Sequence, residues 1–310
     1  MEKFIYSSIK IFLWIIIGGL LKFVIKKINV DILKKIIKIS ADIIVWFIIP
    51  YFIFIKIWLY GIKPEIFLPT LTLFLIIMLI TYFISSYLLK KFDISIQESY
   101  LPLTFMNTLY LGIPVTEYFI SKGAVYYTIV YAIIAAIMQF TVGVYILSPN
   151  LSFINIIISS PMVYMSALGW ILNISNIHMP QIFILINDSL SKILSPLMLL
   201  FIGYAIPWKS FFNDIRLHLG LNIVRIFFLF VTSIIFTLIL KQIVIVNEEF
   251  MKVLIIISIL PSAIANYILL EKYNIDTKFT IGEIFWGTVV VLFFLPYLVQ
   301  LLEILLLIIY

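Results

Sequence analysis

Apolar residues fill ten runs along the chain, at 4–24, 32–58, 66–89, 99–121, 124–147, 152–173, 181–206, 216–240, 250–271 and 279–308. Each is long enough to cross a bilayer as a helix, which takes roughly 20 apolar residues. The polar connections between them are short. The pattern therefore predicts an all-α polytopic membrane protein with ten transmembrane helices and no appended soluble domain. No small-residue cleavage site follows the first run, which reads as a span rather than a removable signal.

Two of the runs are interrupted. Asn107, Thr108, Gly112 and Pro114 break the apolar pattern within 101–123. A proline removes a helical hydrogen bond and a glycine two residues earlier weakens the same turn, so the fourth span is expected to break near 112–114. Pro261, followed by Ser262 and Asn266, interrupts 255–273 in the same way. Lipid cannot satisfy the backbone groups that such breaks free, so broken helices belong against protein or a water-filled cavity. A pair of them is the sequence mark of a transporter's binding site.

Half-helices that start near the midplane from opposite sides would bring two partially positive N-terminal ends onto one cavity, which favours an anionic group. The free amides are expected just after the prolines, at Val115, Thr116 and Glu117 and at Ser262, Ala263 and Ile264. The candidate substrate-binding residues are Asn107, Thr108, Gly112, Pro114, Gln139, Pro261, Ser262 and Asn266. The polar ones can alternatively serve only to satisfy carbonyls freed by the breaks, and Gln139, midway along the fifth span, can be helix-to-helix glue.

Proline positions suggest a repeat. Pro50 and Pro196 are 146 apart, while Pro114 and Pro261, and Pro149 and Pro296, are each 147 apart. That offset divides the chain into two five-span halves, 1–147 and 152–310. Five is odd, so equivalent spans run in opposite directions and form an inverted repeat that pairs the broken fourth span with the broken ninth.

Composition sharpens the class. With 64% hydrophobic and 12% charged residues and a mean hydropathy of +1.20, the chain lacks the charge that a soluble surface needs. The net charge of +6 does not point to nucleic acid, because the lysines sit at helix ends. Twelve Lys and Arg fall in the odd-numbered connections, among them Lys22, Lys26, Lys27, Lys34, Lys35, Lys38, Lys90, Lys91, Lys209, Arg216, Lys272 and Lys278, against seven on the other side. This bias places the first connection in the cytoplasm and both termini outside a plasma membrane.

There is no cysteine, and the two histidines, His178 and His218, lack a carboxylate or second histidine at ligand spacing. Metal catalysis and a cofactor are not expected, and both histidines are read as solvated interfacial groups. Arg225 lies about two and a half turns into the eighth span, where an arginine is a functional candidate unless its stem snorkels outward. Glu117 can accept a coupling proton, repel an anion or pair with Lys122. Glu283 lies near a span end, and Lys38–Asp42 and Asp188–Lys192 read as interfacial pairs at helical spacing. Tyr126, Tyr127 and Tyr131 read as anchoring or packing, and Gly18–Gly19 as a close helix contact.

These residues resemble the auxin efflux carrier family, the bacterial and archaeal relatives of plant PIN proteins. The likeness rests on 105–143 with its asparagine and Gly-x-Pro, on SPLMLLFIGYAI at 195–206, and most specifically on LPSAIANYILLEKYNID at 260–276. It implies five-plus-five inverted repeats related in fold to the bile acid sodium symporters. Scaffold spans at about 4–58 and 152–206 often dimerise, while the spans at about 66–147 and 216–308 form a moving bundle. Asn107 and Pro114 match the family's first crossing segment, Pro261 and Asn266 the second, and Gln139 a polar support position. Only about five residues join the halves, and the third span carries no acidic residue where plant members do, so a carboxylate is implied without auxin being singled out.

The function expected is therefore a secondary transporter, not an enzyme, moving a small organic anion through the lipid bilayer by alternating access, with proton or sodium coupling. A sodium-coupled symporter is the near alternative. A polytopic membrane enzyme or a sensor is the alternative from another class.

Overall fold

The computed structural model describes residues 9, 12–21, 39–40, 42–206, 212, 214–244 and 247–309. Most lysines behind the predicted orientation (Lys22, Lys26, Lys27, Lys34, Lys35, Lys38 and Lys209) lie outside these residues, as does the Lys38 end of the Lys38–Asp42 pair.

Among the described residues the protein is all-helical, and the one extended pairing is an isolated antiparallel bridge between Met106 and Ser262. The helices are α1 (Phe12–Leu21), α2 (Ile44–Tyr60), α3 (Pro64–Phe92), α4 (Ile96–Thr104), α5 (108–119), α6 (Val125–Leu147), α7 (Phe153–Ser159), α8 (Pro161–Ile174), α9 (Gln181–Ala205), α10 (Ile215–Ile243), α11 (Glu248–Ser258), α12 (Ile264–Lys272) and α13 (Lys278–Ile309). Among the described residues, four unbroken helices are long and apolar enough to cross a membrane: α3, α6, α10 and residues Lys278–Ile304 of α13. The pair α7 and α8 makes a fifth if counted as one span, bent by 55° where Ser160 meets Pro161.

Polarity is inverted relative to a water-soluble fold. Phe47 and Phe293 are 70% and 71% exposed, while Arg225 and Glu283 are each 1% exposed. Lipid rewards the first arrangement and penalises the alternative to the second. Because lipid is itself apolar, helix association relies on close packing and on buried polar bonds. At the α1–α9 crossing, a Cβ on Gly18 would fall on the Leu200 carbonyl and one on Gly203 on the Ile15 carbonyl. Gly18 thus makes the close contact expected of it, and Gly203 serves that contact.

One hydrophobic core runs through the helices, with two sets of contacts prominent around it. In one, α2 lies along α8 and the start of α9. Asn173 Nδ2 donates to the Trp58 carbonyl at 2.9 Å, Trp58 Nε1 to Ile177 at 2.7 Å, and the rings of Phe54, Trp58 and Phe183 pack together. In the other, α3 packs on α4 and α6, and α10 on α11 and α13. Tyr131, from the predicted tyrosine cluster, packs fully buried edge-on against Phe74.

Candidate functional site

The first break lies at Phe105–Asn107, not at 112–114 as the Gly-x-Pro spacing predicts. Helix α4 starts from a reciprocal cap, in which Ser95 Oγ accepts from the Glu98 N–H and the Glu98 carboxylate accepts from the Ser95 N–H. Pro102 leaves the Glu98 carbonyl without its helical donor, and Thr280 Oγ1 reaches it at 3.4 Å. The chain turns extended at Phe105 and re-enters helix at Thr108 through a π turn, Thr108–Gly112, that runs straight into Ile113–Phe119. In that turn the Gly112 N–H bonds the Asn107 carbonyl five residues back, at 3.0 Å. A π turn already shifts the bonding pattern at the point where Pro114 lacks a donor, so the proline is absorbed inside α5. The Thr108 N–H bonds the Met106 carbonyl at 2.8 Å, so the free amide end is at Leu109 and Tyr110 rather than at Val115–Glu117.

The second break, between α11 and α12, spans Ile259–Ala263 and contains Pro261, as expected. The two breaks satisfy each other. The Asn107 N–H donates to the Pro261 carbonyl and the Ala263 N–H to the Phe105 carbonyl, both at 2.8 Å. The bridge pairs Met106 with Ser262, 156 residues apart, so the offset of 147 between Pro114 and Pro261 does not align the breaks. A proline inside a helix and a proline inside a break are not equivalent positions.

Side chains finish the accounting at the second break. Asn266 Nδ2 donates to the Phe105 carbonyl at 2.9 Å and to Ser262 Oγ at 3.0 Å, and its Oδ1 accepts from Gln139 Nε2 at 2.6 Å. Arg225 Nη2 donates to the Leu260 carbonyl at 2.9 Å, and Nη1 to Met106 Sδ at 3.1 Å. Arg225 therefore points inward, onto both breaks, rather than snorkelling.

A cavity opens beside the bridge. Its walls come from both breaks and the half-helices behind them (Asn107, Thr108, Tyr110, Ile264), from α6 (Ala135, Gln139) and from α2 (Phe52). It offers about 70 Å³ to water centres, where one water needs roughly 10–15 Å³. That suits a small solute. The N-terminal turns of α5 and α12 both border it.

The structure thus brings Asn107, Thr108 and Gln139 onto one cavity. Ser262 and Asn266 stand behind its wall and hold the breaks together. Gly112 packs against Ile257, Leu260 and Thr128, and neither it nor Pro114 lines the cavity. Pro261 contributes a carbonyl to the bridge. Glu117 is half-buried, nine residues beyond Thr108, and does not line the cavity.

The histidines separate. His178 is exposed, as read from the sequence, but His218 is buried, with Nδ1 2.7 Å from Glu283 Oε1. The interfacial reading fails because the partner is 65 residues away, on another helix. Asn222 Nδ2 donates to Glu283 Oε2 at 2.9 Å, and Asn222 Oδ1 accepts from Arg225 Nη2 at 3.4 Å. A signal was present in the sequence: His218, Asn222 and Arg225 are spaced i, i+4, i+7, which puts three polar side chains on one face of an apolar helix.

No family model matches the chain, and no curated protein matches it.

Proposed function

We propose that the protein is a secondary transporter that carries a small organic anion across a lipid bilayer by alternating access. One observation carries this reading: the N-terminal ends of two half-helices, from separate parts of the chain, border a single small cavity that also presents Asn107 and Thr108. Each such end contributes about 0.3–1 kcal/mol toward an anion when exposed and up to about 2 when partly buried. Two of them beside side-chain donors suit a carboxylate.

The reading extends to membership of the auxin efflux carrier family, with ten spans in two inverted halves, 1–147 and 152–310. In it, 4–58 and 152–206 form a scaffold that dimerises, and 66–147 and 216–308 form the moving bundle. The protein sits in the plasma membrane with both termini outside. Lys272 of α12 supports a boundary between bundle and scaffold: its Nζ lies 3.6 Å from Asp42 Oδ1 and 3.8 Å from the Trp46 ring centroid on the scaffold side. A sliding bundle has to release that contact.

The test is solute exchange in proteoliposomes, with malate, malonate and indole-3-acetate as carboxylate probes and their amides as neutral controls. Exchange of a carboxylate and not of its amide is expected, accompanied by thermal stabilisation of the purified protein. Absence of both exchange and stabilisation for every carboxylate would sink the reading.

A further inference from the structure

The costliest groups in the bundle are not at the cavity. Glu283, 1% exposed, and His218, 5% exposed, sit between two apolar helices, α10 and α13. An ionisable pair in that position is expensive, and neutral amides would hold two helices together at lower cost. The fold nevertheless makes room for it. A Cβ on Gly282 would fall on His218 Nε2, and one on Gly287 would come within 2.7 Å of Asn222 Oδ1. Two glycines on α13 thus keep the places of an imidazole and an amide on α10.

The cluster also leads somewhere. Glu283 Oε1 meets His218 Nδ1 and Oε2 accepts from Asn222, whose own oxygen accepts from Arg225, whose guanidinium holds the Leu260 carbonyl and Met106 at the two breaks. One amide therefore separates the carboxylate from the group that clasps the crossing.

We propose that His218 and Glu283 form a proton-binding site and that the proton taken up there travels with the anion bound at the crossing. This rests on the transporter reading above and names its coupling ion. With Glu283 ionised, Arg225 cationic and the imidazole neutral, the cluster sums to zero. The Nδ1–H then donates to the carboxylate, so an incoming proton binds at Nε2, forms one N–H bond and raises the cluster to +1. Arg225 lies seven residues along the helix from His218, about 10 Å at 1.5 Å per residue. Within the protein interior that added charge is poorly screened, so proton and anion favour each other's binding reciprocally. Sodium fits less well, since a hard cation needs several free oxygens and both of the Glu283 oxygens already accept from nitrogen.

Other charged or titratable groups approach from each neighbouring element. On and just before α10 are Asp214, Arg216 and Arg225, and Lys278 of α13 pairs with Asp276 just before it. Helix α4 brings Glu98, tied to its own cap, and Tyr100, bonded to Met78. Helix α3 brings Lys91, over the Tyr87 and Phe92 rings, α6 brings Tyr131, and α11 brings the Glu248–Lys252 pair. Apart from Arg225, whose charge Glu283 feels, none of these side chains forms a hydrogen bond or ion pair with the side chain of His218 or Glu283 among the described residues; the Asp214 carbonyl accepts only the His218 backbone N–H, at 3.1 Å.

Because the chain has two histidines, His178→Gln leaves His218 as the sole imidazole. The ¹⁵N-histidine NMR spectrum of that protein is recorded from pH 5 to 9, together with malate and malonate affinity from thermal shifts. Expected are a single imidazole titration, moved by Glu283→Gln, and anion binding about tenfold tighter at the acid end. That dependence should vanish in His218→Gln. If His218→Gln does not fold, Gly282→Ala, which keeps every polar group but displaces the imidazole, takes its place with the same expectation. An imidazole that does not titrate in this range overturns the proposal. So does a titrating imidazole with anion affinity independent of pH. Titration with no carboxylate binding at any pH overturns the anion reading itself, and the coupling with it.

Discussion

At the first break, Asn107 and Thr108 face the cavity, and their side chains make no hydrogen bond among the described residues. At the second, Ser262 and Asn266 are bonded to one another and to the protein, and Arg225 and Gln139 arrive from other helices to complete the set. Both breaks interrupt a helix in apolar surroundings, and both free the same kind of backbone group. The difference lies in who satisfies it. The second break is clasped from outside and offers a ligand only the backbone end of α12, whereas the first leans on the second through the bridge and keeps its side chains in reserve. A polar residue beside a broken helix is therefore a ligand group only when its neighbours have already closed the backbone account.

That contrast can be broken hardest at its clasp. Arg225→Met removes the donors to the Leu260 carbonyl and to Met106, and leaves Glu283 buried without its countercharge. The expected loss is about 3–5 kcal/mol, the range for leaving a buried charge uncompensated, seen as a large drop in thermal midpoint in detergent. A midpoint near that of wild type would show that the guanidinium does not hold the breaks. Asn266→Ala comes next. It strips a donor from the Phe105 carbonyl and an acceptor from Gln139, at about 1–3 kcal/mol, and weakens carboxylate binding only as a consequence of that loss.

Asn107→Ala should invert the pattern. With no protein partner to lose, its stability should stay within about 0.5 kcal/mol of wild type. Losing a hydrogen bond to a charged ligand group should weaken carboxylate affinity about tenfold or more. Equal destabilisation by Asn107→Ala and Asn266→Ala, read from thermal midpoints without ligand, would erase the distinction between the two breaks.

Much of this organisation was legible in the chain. Apolar runs marked where the described helices lie, because in lipid a helix must be continuous in hydrophobicity to be stable, and Pro261 marked its break because nothing nearby absorbs it. Gln139 was read as glue or site, and it is placed for both, holding Asn266 while bordering the cavity. The first break was misplaced because its cause is not local: Phe105 leaves the helix to pair with Ala263 and Asn266, 158 and 161 residues onward. His218 was misread for the same reason. Its partner, Glu283, comes from another helix, and only the i, i+4, i+7 column on α10 pointed inward.

The smallest expected effect tests that misplacement directly. Pro114→Ala restores an N–H at a point where α5 is already helical, so it can complete a turn rather than orphan a donor. Stability should move by no more than about 0.5 kcal/mol, and carboxylate affinity should be unchanged. Pro261→Ala differs although the substitution is the same. It introduces an N–H into a buried break whose neighbouring groups are already paired, at about 1–3 kcal/mol for a buried donor without an acceptor. Thermal midpoints of the two variants, measured side by side, decide where the fourth span is broken. A shift at Pro114 as large as that at Pro261 would return the break to the Gly-x-Pro segment and move the free amide end away from Leu109 and Tyr110, while a silent Pro114 beside a costly Pro261 leaves it at Phe105–Asn107.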